Sequence, residues 1–63
     1  MTTLTTEQER LNRHVAQAIA WGYQTGGDLD EALRLMWELD RVLVDDPAEI
    51  RVIGQAFERE FES

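Results

Sequence analysis

Residues 28–44 read DLDEALRLMWELDRVLV, and this stretch decides the fold. Asp28 carries the short acceptor side chain of a helix N-cap, and Glu31, three positions on, completes a capping box. Gly26-Gly27 just before it end whatever helix precedes, so the boundary is marked from both sides. At about 100° per residue, Leu29, Ala32, Leu33, Met36, Leu39 and Leu43 fall on one stripe. Leu35 and Val42 widen it on one side, Trp37 and Val44 on the other. Asp30, Glu31, Arg34, Glu38 and Arg41 form the polar strip, with local ion pairs expected from Asp30 to Arg34 and from Arg34 to Glu38. A helix this apolar must be covered from two sides, by the flanking segments or by a second copy. It is expected to be the element the rest packs around. Asp40 falls inside the apolar arc and needs a partner there, such as a Trp N–H, His14 or an arginine.

Upstream, residues 1–5 read as a loose polar tail. Thr6 and Glu9 make a second capping box, and a helix is expected over about 7–24. Leu11, Val15, Ala18, Ile19 and Gly22 share its apolar face, with His14 and Trp21 on one shoulder and Tyr23 on the other. Arg10, Arg13, Gln17 and Gln24 face water. Gly22 interrupts the apolar stripe, which suggests a close approach by another backbone. Downstream, Asp46-Pro47-Ala48-Glu49 combines an N-cap, Pro at the first helical position and an acid at the third. It ends the middle helix near residue 44 and starts a third over 47–61. Ile50, Ile53, Gly54, Phe57 and Phe61 form the buried stripe of that third helix, with Val52 outside it and Gly54 expected at a close crossing. The expected fold is all-α: one small antiparallel three-helix bundle, with helices at about 7–24, 29–44 and 47–61.

Composition bounds the chemistry. A chain of 63 residues that is 43% hydrophobic suits one small globular domain. There is no cysteine and one histidine, which removes thiolate chemistry and the usual zinc sites. No apolar run approaches the roughly 20 residues of a membrane span, and the opening residues lack the features of a signal peptide, so a cytoplasmic location is expected. Thr25-Gly26-Gly27 lacks the spacing and the lysine of a phosphate loop. The Asp28–Asp30 pair lacks the further oxygen ligands of a calcium loop. His14 has no nucleophile at helical spacing, so no enzyme and no cofactor is expected.

Charge is the loudest feature. Thirteen acids face six bases, all of them arginine, for a formal charge of −7. Such a surface disfavours direct binding to nucleic acid and favours a protein with a basic surface. Its alternative role is solubility, or adaptation to a salty cytoplasm. Two short loops make the helices run up, down and up. Asp28, Asp30, Glu31, Glu58, Glu60 and Glu62 then gather at one pole of a narrow rod. Asp45, Asp46 and Glu49 join Glu7 and Glu9 at the other. These acids are the candidate partner-binding residues, and Trp21 and Trp37 are candidate interface aromatics, for a partner or for a homodimer.

In size and charge the chain resembles, in kind and not through any motif, the small acidic inhibitors that phages and mobile elements make, such as anti-CRISPR and anti-restriction proteins. That resemblance implies a non-catalytic inhibitor or modulator that imitates nucleic acid on the basic patch of a nucleic-acid-handling complex. The alternative is a homo-oligomerising helical adaptor whose acidity serves only solubility.

Overall fold

A computed structural model describes residues 6–62. Within them are three helices and no strand: α1 (Thr6–Thr25), α2 (Leu29–Asp40) and α3 (Pro47–Phe61). The expected residues 1–5 tail lies outside the described residues.

Local chemistry sets the helix ends. The Asp28 side chain accepts from the Glu31 N–H at 3.1 Å, and the Asp46 side chain accepts from the Ala48 N–H at 3.0 Å, with Pro47 at the start of α3. At the end of α1, Gly26 and Gly27 take φ of 73° and 88°, and the Gly27 N–H donates to the Gly22 carbonyl at 2.7 Å. This wraps the last turn back on itself and satisfies a carbonyl that the helix leaves free.

The middle helix is shorter than the 29–44 expected. It ends at Asp40, where Arg41 turns left-handed with φ 58° and the Arg41 and Val42 N–H groups both point to the Met36 carbonyl. Residues 42–46 run on without helix, and burial alternates at their start: Val42 and Val44 are half-buried against the core and Leu43 points outward. Two β-branched valines flanking a leucine fit this two-residue period as well as the helical one. Leu43 is therefore 59% exposed, and Leu39, the last apolar residue of α2, is 62% exposed, which removes both from the expected stripe.

The hub of the fold is α1, not the middle helix. It makes the main helix–helix contacts with both α2 and α3, while α2 and α3 meet only weakly. The result is a flattened body of 36 × 29 × 19 Å, not a narrow rod. Its centre is Ala18 from α1, Ala32 and Met36 from α2, and Ile53 and Phe57 from α3. Among the described residues, Met36 and Ile53 are the large side chains fully enclosed.

The two helical glycines differ. Gly22 is buried because aromatic rings, not a backbone, lie on it: a methyl group there would come within 2.7 Å of the Phe61 ring and 2.9 Å of Phe57 Cε2. At Gly54 the same methyl would meet only Leu29 Cδ2, at 3.6 Å. That is ordinary van der Waals distance, so Gly54 marks no close crossing. A glycine inside a helix costs about 1 kcal/mol relative to alanine, and nothing in the packing of the described residues requires it at position 54.

Candidate functional site

Each acid singled out from the sequence has a definite place. At the pole where the first turn meets the end of α3, Asp28 is occupied as the cap of α2. Glu31 and Glu38 both hold the Arg34 guanidinium, and this replaces the expected pair from Asp30 to Arg34. Those contacts, Glu31 first and Glu38 second, push Arg34 above its ordinary pKa. Glu60 accepts from the Tyr23 hydroxyl across the α1–α3 seam, where the Tyr23 and Phe61 rings meet edge-on with centroids 5.0 Å apart. That hydrogen bond, then burial and the Glu60 charge, raises the phenol above its usual value. Asp30, Glu58 and Glu62 are exposed, and no basic group pairs with them among the described residues.

At the other pole, Asp46 caps α3 and Glu49 turns inward to His14. The His14 and Glu49 side chains are only 14% and 13% exposed. This half-buried pair ties the first turn of α3 to α1. Asp45 is exposed and has no basic partner among the described residues. Glu7 and Arg10 from α1 line a groove of about 290 Å3 together with Asp46, Glu49 and Val52.

Asp40 sits at the surface and accepts from the Trp21 indole N–H at 2.8 Å and the Gln17 amide at 3.3 Å. The pair ties the end of α2 to α1. Gln17, expected to face water, is half-buried by this contact. Trp21 is half-buried as well, whereas Trp37 is 47% exposed with the Arg41 guanidinium 5.9 Å from its ring centroid.

A second groove lies between the start of α2 and the last turns of α3. Gly27, Leu29, Gly54, Phe57 and Phe61 line it, and Glu58 and Glu62 stand at its edge; it holds about 220 Å3. Charge and apolar surface meet there, and among the described residues no basic one lines it. The sequence shows the i, i+4 repeat of Phe57–Phe61 and of Glu58–Glu62. It does not show that Gly54 leaves open space beside them.

Among the described residues, no group of three or more His, Asp or Glu side chains is placed to hold a metal ion, and no helix is long and apolar enough to cross a membrane. Compared with protein-family models, with curated proteins and with solved structures, the chain shows no match.

Proposed function

We propose that this chain is a small non-catalytic protein-binding module. It docks its acidic surface on a basic patch of a nucleic-acid-handling protein and thereby inhibits or modulates it, in the manner of nucleic-acid mimicry. The observation that carries this reading is the division of the acids into two groups. Asp28, Glu31, Asp46, Glu49 and Glu60 are engaged in caps, ion pairs or hydrogen bonds within the chain. Asp30, Asp45, Glu58 and Glu62 are exposed and have no such duty among the described residues. Glu58 and Glu62 also lie near the negative end of the α3 dipole, where they cost a few tenths of a kcal/mol each. Acid kept where it opposes local stability supports a role toward a partner. Carboxylates on a rigid helical frame meet a basic groove quickly at low salt and compete with phosphates for it.

The test is affinity capture from the source cell or its host, comparing the native chain with Glu58→Lys, Glu62→Lys and the double variant. Captured proteins should be basic, should release as salt rises from 50 to about 300 mM, and should be displaced by duplex DNA or RNA. Charge reversal should abolish capture while leaving the helical circular-dichroism spectrum unchanged. Capture indifferent to salt and to both reversals would refute the reading.

A second reading rests on a different observation. Trp37, Leu39 and Leu43 are 47%, 62% and 59% exposed, and they lie within seven residues of one another around the end of α2. This supports a homo-oligomer, and light scattering after size exclusion decides it: a dimer mass that reverts to monomer in Leu39→Ser favours this second role.

A further inference from the structure

We propose that the groove between the start of α2 and the end of α3 is a receptor for one arginine side chain presented by the partner protein. The inference rests on the acidic-docking reading above and narrows it to a site and a chemical group.

Three features select the occupant. The floor is apolar, made by Leu29, Phe57 and Phe61, and Gly54 leaves it open where any other residue would fill it. The rim is anionic, with Glu58 and Glu62 one helical turn apart. The volume, about 220 Å3, is below the roughly 300–1,000 Å3 of small-molecule sites, yet it suits a single long side chain. Arginine matches all three. Its methylene stem lies along apolar surface, its planar guanidinium stacks on the half-buried Phe61 ring, and its fork of N–H donors engages carboxylates. The other groove fits less well, because Arg10 lines it and its Glu49 is already bound to His14.

Gly54 strengthens the first of these features. Its open side faces this groove, and the chain carries it in mid-helix although its own packing does not need it. A partner side chain lying across Gly54 accounts for its presence.

The probe is a blocked helical peptide with a single central arginine between leucines. Its control carries citrulline, which keeps the shape and removes the charge. Both are titrated into the 15N-labelled full chain. With the arginine peptide, amide shifts should move at Leu29, Gly54, Phe57, Glu58, Phe61 and Glu62, and affinity should fall at least tenfold with citrulline. Gly54→Leu, which fills the groove, and the paired Glu58→Gln and Glu62→Gln, which neutralise its rim, should each weaken binding at least tenfold. Thermal melts confirm that each variant is folded.

Shifts spread over both poles, or binding unchanged by Gly54→Leu, would overturn the groove while leaving salt-dependent acidic docking intact. Equal binding of the citrulline peptide would overturn the arginine assignment. Failure of the arginine peptide to bind at millimolar concentration would overturn the proposal, and loss of salt-dependent capture as well would remove the broader reading with it.

Discussion

Gly22 sits directly against the ring of Phe61, so closely that a methyl group on it would come within 2.7 Å of both Cε2 and Cζ. The ring cannot simply swing away. It is fixed edge-on by Tyr23 at 5.0 Å and tilted against Phe57 at 5.1 Å. One missing side chain on α1 thus decides where the end of α3 lies.

Gly22→Ala is therefore expected to destabilise the fold. Helix propensity favours alanine by about 1 kcal/mol, but overpacking against two rings costs more, and the net loss should be roughly 1–2 kcal/mol. Urea unfolding monitored by circular dichroism gives the sign. A higher midpoint for the variant would mean that Phe61 does not rest on Gly22.

Gly54→Ala should act the opposite way. The added methyl meets Leu29 Cδ2 at 3.6 Å, a favourable contact, and the helix gains propensity. Stability should rise by up to about 1 kcal/mol, or roughly 4–8 °C in Tm for a domain of this size. A fall in Tm would show the position to be tightly packed.

Arg41 holds a left-handed conformation that costs an L-residue on the order of 1 kcal/mol. Arg41→Gly should gain about 0.5 kcal/mol after the loss of the Trp37 contact and the greater freedom of the unfolded chain are subtracted. Arg41→Val should lose more than about 1 kcal/mol, because a β-branched residue resists positive φ. Chemical denaturation of the pair measures both. Equal stabilities would place no left-handed turn at residue 41.

Tyr23 should titrate above an ordinary tyrosine, and Glu60→Gln should bring it down toward the ordinary value, as read from tyrosinate absorbance near 295 nm. The sign of the linkage follows from proton counts. The folded phenol keeps its proton when the unfolded one has begun to lose it, so the contribution to stability is fully present below the ordinary phenol pKa of 10.0 and is lost as pH rises through the folded value. Tm measured from neutral to strongly alkaline pH should fall more steeply for the native chain than for Glu60→Gln.

The helix starts and the first loop were legible because they rest on residues with one local meaning: Asp28 and Asp46 as caps, Pro47 at a first turn, paired glycines at positive φ. A Trp N–H was among the partners expected for Asp40, and the Trp21 indole supplies it, although the carboxylate lies at the surface and not inside the apolar arc. The end of α2 was not legible. Arg41 carries no stop signal, and Val42-Leu43-Val44 satisfies two periods equally. Which helix serves as hub was hidden too, because the apolar arc of α2 is wider than that of α1, and width does not say which neighbour covers it. At the candidate site the acids could be read, but not the sorting of Glu49 and Glu60 into internal contacts, nor the room beside Gly54. Those depend on pairings between helices far apart in the chain.

With Met36 and Ile53 alone, among the described residues, as large side chains wholly shut away from solvent, this molecule has a thin margin against its own electrostatic self-repulsion. A formal charge of −7 on 63 residues pushes the compact state apart, and dissolved cations relieve that pressure. The folded population should therefore grow with ionic strength even as any grip on a positive target loosens. Dilute buffer would then favour the complex, and brine the solitary chain.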